Sequence, residues 1–302
     1  MDLELRTRHL RAVVSTRGGC LLSFECVNGP VALMRPFDPD AGSFHPTRAA
    51  AFPLVPFGNR VRDNGFRFAG RDIRFEPNTP GGGAYLHGDA WLGDWRVVER
   101  SSRGARLVFE HETDPVSPYA YSAEQSFHLD ESGLRVSFSV TNGGQRPLPF
   151  GLGHHPYFPW RDGTEIRLGG HGALWTESSD HLPGRAMAFP EDLLFDDYAG
   201  PPRRRVNNVI DAWDGRAWVR WPNEGVELSI EASEAFRWLM LFINTPERDP
   251  GYRFEYFCLE PMTHLPGGHD KTSNAGFVVL EPGGMLTGHV KYRIAVNGLP
   301  DP

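Results

Sequence analysis

Short stretches that alternate apolar and polar residues, each closed by a cluster of turn formers, recur along this chain and restrict it to a strand-built fold. Leu134-Arg135-Val136-Ser137-Phe138-Ser139-Val140, Gly225-Val226-Glu227-Leu228-Ser229-Ile230 and Val290-Lys291-Tyr292-Arg293-Ile294 all repeat with a period of two. That period sends one set of side chains to a buried face and the other to water. Between such runs stand Asp130-Glu131-Ser132-Gly133, Thr141-Asn142-Gly143-Gly144, Asp162-Gly163 and Pro282-Gly283-Gly284. These separations are too short for crossover helices, so neighbouring strands run mainly antiparallel. Many amphipathic strands without intervening helices bury their apolar faces by packing sheet on sheet. The expected fold class is all-β, a large antiparallel β-sandwich.

Composition agrees, because 34 glycines and 26 prolines break the apolar content, with its 12% aromatics, into short pieces. No segment reads as a helix of three turns, no repeat has a fixed period, and no low-complexity linker divides the chain. A single domain over residues 1–302 is the simplest organisation, since large sandwiches reach this length as one unit. Two Gly/Pro-rich stretches, Asn78–Ala90 and Leu182–Arg205, read as long loops, and loops on a rigid sandwich are where function commonly sits.

A net charge of -7 with no broad basic face argues against nucleic acid as a partner. Met1-Asp2-Leu3-Glu4-Leu5-Arg6 lacks the pattern of a signal peptide, and no apolar run is long enough to span a bilayer. The expectation is a cytoplasmic protein with no membrane partner, either a monomer or a homodimer. Cys20, Cys26 and Cys258 form no CxxC pair and read as buried thiols rather than a disulfide framework or zinc ribbon.

Several chemistries drop out on motif grounds. There is no GxSxG elbow, no cysteine beside a histidine in sequence, no GxGxxG after a strand and no Walker loop. His87, His154, His155, His264 and His269 raise the question of a metal, but no HxH, HExxH or EF-hand spacing occurs. His154 and His155 would point to opposite faces of an extended segment, which Pro156 encourages. No metal is therefore expected, and His264 and His269 read as satisfied structural histidines. What remains is proton transfer: a histidine titrates near neutrality, and a carboxylate across a pocket does the complementary work. His155, in Gly151-Leu152-Gly153-His154-His155-Pro156-Tyr157-Phe158, and Glu260, between Leu259 and Pro261, are the candidates. Aromatic walls (Trp91, Trp95, Tyr157, Phe158) with polar holders (Asn59, Arg60) suit a sugar, which stacks apolar faces on rings and needs hydrogen bonds round its rim. The plainer alternatives are an Arg60 paired to an acid on a sheet surface, a Glu260 in an ordinary salt bridge, a buried or supporting His154, and at least one of the two tryptophans in the core.

At these residues the chain resembles the aldose 1-epimerase (galactose mutarotase-like) family. The resemblance runs in order through Gly58-Asn59-Arg60-Val61 with Gly65-Phe66-Arg67-Phe68-Ala69-Gly70, Leu86-His87-Gly88 with Trp91 and Trp95, His155-Pro156-Tyr157-Phe158, Cys258-Leu259-Glu260-Pro261-Met262, and Leu280-Glu281-Pro282-Gly283. It implies a β-supersandwich and a cofactor-free interconversion of α and β anomers of a monosaccharide. By position, Glu260 corresponds to the base that takes the anomeric hydroxyl proton, and His155 to the acid that protonates the ring oxygen. His87 and Arg60 correspond to residues that hold the substrate, with Asn59 and Trp91 beside them. The family aspartate that touches sugar hydroxyls is replaced by Asn207, in Asn207-Asn208-Val209-Ile210 ahead of Asp214-Gly215-Arg216. Loss of that charge, with Arg203-Arg204-Arg205 just upstream, points toward a sugar bearing an acidic group, although three successive arginines also make an ordinary solvated face. The competing functions are a non-catalytic carbohydrate-binding or sensing protein, and a different enzyme on the same fold. A glycosidase would need a second carboxylate opposite Glu260, and the sequence offers no clear partner.

Overall fold

The structure is a computed structural model that describes residues 1–296 apart from 28, 30, 80 and 272–274. Among the described residues every named strand pair is antiparallel. An eleven-stranded and an eight-stranded sheet carry most of the strands. The helical content of these residues is six three-residue 3-10 turns, as the lack of any helical period required, and none is long and apolar enough to cross a membrane. Nearly all the buried apolar side chains form one continuous cluster, and all three cysteines are free and buried.

Strands of the eight-stranded sheet show one buried and one wetter face, as in Tyr121–Asp130. The centre of the larger sheet does not. Gly153–Pro159 is buried at every position, and Tyr256–Met262 at all but its first. One face of these central strands meets the second sheet, where the His154 ring nitrogen Nδ1 lies 2.5 Å from the Tyr292 hydroxyl and its ring packs near Phe138. The opposite face is covered by loops. A strand buried on both sides needs no alternation, so it reads as a run of apolar and aromatic residues.

The Asn78–Ala90 segment contains no named strand or helix, as expected. Leu182–Arg205 departs from the expected loop: Pro183–Met187 is a strand that pairs with Leu174–Glu177 at the rim of the large sheet, and Glu191–Leu193 is a 3-10 turn. The strand is mostly exposed and starts on a proline, which is tolerated at an edge where no ladder donor is required. Composition hides such a strand because it has no buried face to pattern.

Candidate active site

Four neighbouring strands of the large sheet build the floor of a cleft. Gly153 pairs with Met262 and Tyr157 with Cys258 in one unbroken register, so His155 falls opposite Glu260 on the adjacent strand. The imidazole Nε2 and the carboxylate Oε1 are 3.3 Å apart. Glu260 in turn pairs with Met240, and Cys258 with Phe242, which pairs with Asn207. Residues two apart on a strand share a face, so His155 with Tyr157, and Cys258 with Glu260, project into the same space while His154 projects away from it.

The His155 ring packs against two aromatic rings, Phe52 at 4.5 Å and Tyr157 at 4.8 Å, which also touch each other at 6.2 Å. Phe52 is its partner across the strand ladder on the other side. This aromatic packing fixes the ring, while Nδ1 of His155 and Oε2 of Glu260 are buried and without a hydrogen-bond partner among the described residues. Burial pushes the Glu260 carboxyl up to about 8, and burial, followed by the neighbouring His87 ring, holds His155 well below its usual range. Both shifts disfavour charge. The direction of both favours a carboxylic acid beside a neutral imidazole, with one transferable proton between them.

His87 closes the cleft from a loop. Its ring Nδ1 accepts from the Asn59 backbone N–H at 3.0 Å, while its backbone N–H donates to the Asn59 carbonyl at 2.9 Å. A neutral ring that accepts at Nδ1 carries its proton on Nε2, so His87 offers a donor. Burial, then the Arg60 charge, lowers its pKa to about 3, which keeps it neutral. Asn59 and His87 both have positive φ. The next residue must be glycine, since φ is +73° at Gly88 and a Cβ there would lie 2.2 Å from the Val55 carbonyl oxygen.

The cleft encloses about 450 Å³ and is lined by Asn59, Arg60, His87, His155, Tyr157, Asn207 and Glu260, together with Arg35, Arg48, Met240, Phe242, Asp249 and others. Five of the named substrate and catalytic candidates with a polar tip, and Asn207 as well, therefore meet in one place. Arg60 makes no ion pair among the described residues, so the surface salt-bridge alternative is not what the fold provides. Trp91 is a correction: it is 1% exposed and does not line the cleft. Its Nε1 donates to the carbonyls of Leu86 and Gly88 while its ring stacks on Phe52 at 5.1 Å. Trp91 therefore braces the His87 loop and the His155 stack from behind. Trp95 is buried as well, donating to the Ala90 carbonyl.

His264 is satisfied, accepting from the Gly58 N–H at 3.0 Å. His269 is not: both ring nitrogens are buried without a partner among the described residues, and the ring stacks on Phe66. Asn207 uses its amide nitrogen on Glu177 at 2.9 Å, and that carboxylate is gripped twice by Arg205. The three successive arginines serve three different ends, Arg203 against Trp160 and Phe254, Arg204 on Asp192, and Arg205 on Glu177. One group of possible metal donors occurs among the described residues, His155, Cys258 and Glu260, with ligand atoms within 4.8 Å of one another. Such a nitrogen, sulfur and oxygen set suits zinc. Its occupation would have to expel protons from Cys258 and Glu260, both of which burial holds in the protonated form.

A groove of about 530 Å³ on the other sheet is lined by Ser126, Ser137, Ser139, Glu124, Glu234 and His289 among others, and among the described residues its histidine pairs with neither acid. Its Glu124 is already paired with Arg106.

Sequence reasoning missed Arg35, Arg48 and Phe52. Nothing in Met34-Arg35-Pro36 marks a cleft residue; its place depends on Tyr157 and Tyr256, far along the chain. Phe52 was findable in principle, as a large aromatic in an apolar run just ahead of Gly58-Asn59-Arg60.

The chain belongs to the aldose 1-epimerase family, whose sequence profile matches residues 1–293. It is 38% identical over 286 residues to the uncharacterised Escherichia coli K12 protein YphB, covering 94% of this chain and 96% of that protein. Among solved structures, a candidate aldose 1-epimerase from Escherichia coli K12 superposes with a TM-score of 0.91 at 36% identity, over 98% of this chain and 99% of the other. A galactose mutarotase-like protein from Clostridium acetobutylicum shares the fold, with a TM-score of 0.83 at 18% identity over 98% and 95% of the two chains.

Proposed function

We propose that the protein is an aldose 1-epimerase, interconverting the α and β anomers of a monosaccharide through the His155–Glu260 pair. The observation that carries this reading is the pair itself: an imidazole and a carboxylate 3.3 Å apart, buried at the floor of a sugar-sized cleft. In ring opening, the Glu260 carboxylate takes the proton from the anomeric hydroxyl while the His155 imidazolium gives one to the ring oxygen. The ring carbon–oxygen bond breaks and an open-chain aldehyde forms. Rotation about the first carbon–carbon bond presents the other carbonyl face, and both proton transfers run backward to close the ring.

The proton count closes. Opening converts a charged pair into a neutral one, and closure restores it, with no net proton exchanged with water. Burial favours the neutral pair, the form that stands beside the open-chain sugar. In the charged form the sugar's anomeric hydroxyl and ring oxygen hydrogen-bond to the two groups and help to solvate them. His87 donates from Nε2, and Arg60, which makes no ion pair among the described residues, donates from its guanidinium. These fixed donors hold the ring so that the anomeric and ring oxygens meet base and acid together.

Freshly dissolved sugars followed by polarimetry or exchange NMR test the proposal. Catalysed equilibration of at least one sugar is expected. Sugar binding without acceleration would favour the alternative, a non-catalytic carbohydrate sensor on the same fold.

A further inference from the structure

We propose that the cleft recognises a sugar carrying an oxyanion, a uronate carboxylate or a phosphate ester, through Arg35 and Arg48; this deepens the epimerase reading and rests on it for the chemistry that follows binding. Three arginines, Arg35, Arg48 and Arg60, line the cleft. None of them forms an ion pair among the described residues. Outside the cleft most of the half-buried arginines are neutralised, as in Arg11 with Glu4 and Glu25, Arg205 with Glu177 and Arg220 with Glu165, and the others that lack an ion pair among the described residues are mostly exposed. Unpaired cations gathered in one cleft of a protein with net charge -7 call for a ligand of opposite sign.

The two arginines are held in ways that fix their geometry and leave their charge uncancelled. Arg35 donates through Nη2 to the carbonyls of Thr47 and Ala49. Its guanidinium lies over the rings of Tyr157 at 3.9 Å and Tyr256 at 4.3 Å. Arg48 donates to the carbonyls of Ser43 and Asp38. Arg35 therefore anchors on the same short turn, Pro46–Arg48, that carries Arg48. Tyr157 stacks on His155 as well as on Arg35, so the cationic end of the cleft stands one ring away from the acid–base pair. An anionic group seated there leaves the anomeric end of its sugar to His155 and Glu260.

The acids nearby do not fill this role. Asp249 and Glu255 line the cleft but pair with no cation among the described residues, each accepting from a loop N–H, that of Gly251 and of Arg253. The Glu177 carboxylate behind Asn207 is already bound by Arg205 and His181. Asn207 itself presents an uncharged amide where an aspartate would repel an anion.

Calorimetric titration of the intact protein with glucuronate, glucose 6-phosphate and glucose, at low and high salt, tests this. At least one anionic sugar should bind about tenfold or more tighter than glucose at low salt, and added salt should erode that preference. Which of the two wins identifies the oxyanion. Arg48→Gln, on the more accessible side, and Arg35→Lys, which keeps the charge but loses the planar fork, should each reduce the anionic-to-neutral ratio. Equal binding of all three sugars, no binding of either anionic sugar, or a preference that survives both substitutions overturns the inference. Anomer exchange is recorded separately: anionic preference without exchange would remove the epimerase reading and keep the site, and exchange on neutral sugars without preference would do the reverse.

Discussion

Replacing Glu260 by glutamine should inactivate the protein and at the same time make it more stable. The carboxyl is 2% exposed and its pKa is pushed up to about 8, from 4.5, by burial alone. Between those two values the unfolded chain has lost the proton and the folded one still holds it. The folded state binds more protons there, so stability falls as pH rises. Below pH 4.5 the effect is absent, it grows through the window, and above about 8 it is complete. At about 1.4 kcal/mol per pH unit, this amounts to roughly 3 kcal/mol against folding at pH 7. Glutamine keeps the shape and never ionises. Urea unfolding of both forms at about pH 5, 7 and 8.5 should therefore show a stability gap that widens with pH in favour of Glu260→Gln. Anomer exchange in the variant should drop by about 10²–10⁴-fold, the usual cost of losing a general base. A variant as stable as the parent at every pH would refute a buried, proton-holding Glu260, and near-normal exchange would remove it from the chemistry.

His155→Asn should fail in turnover while His154→Asn keeps activity and loses stability by about 1–3 kcal/mol, since His154 leaves the Tyr292 hydroxyl without its partner in the core. Activity lost from the second variant and kept in the first would mean the reverse assignment. Trp91→Phe should cost about 1 kcal/mol in denaturation and raise KM more than it lowers kcat. It removes the indole donor behind the His87 loop, although Asn78 still donates to the same two carbonyls. An unchanged KM would show that the loop needs no brace. A chelator should leave exchange unaltered and added zinc should inhibit it by displacing the proton of the pair; activity that vanishes with chelator and returns with zinc would instead establish a metal mechanism.

The fold was legible where one face of a strand meets water. Leu134–Val140 and Val290–Ile294 carry the alternation openly because their outer residues are solvated. The strands under the site carry none, and Gly153–Pro159 was placed by its motif rather than its period. His155 opposite Glu260 follows from register, which depends on pairings between distant segments that no local pattern encodes. Trp91 looked like a sugar platform because aromatic composition is the same in a wall and in a core; only its two carbonyl partners distinguish them. Arg35 and Arg48 were invisible for a related reason. An unpaired arginine is defined by what fails to approach it, and a linear sequence does not say which acids come near.

The placement of the two kinds of group has an evolutionary consequence. The proton-transferring residues are rungs of a ladder: a one-residue slip would trade His155 for His154 and aim the ring into the sandwich. Such strands tolerate no insertion or deletion. The groups that meet the rest of the sugar hang from turns instead, Arg48 on Pro46–Arg48 and Arg60 and His87 on the clasped loops, and turns accept changes of length and composition cheaply. Reaction and substrate range can therefore diverge at different speeds. Exchanging the Pro46–Arg48 turn between relatives should retune which sugar enters while the machinery beneath it stays untouched.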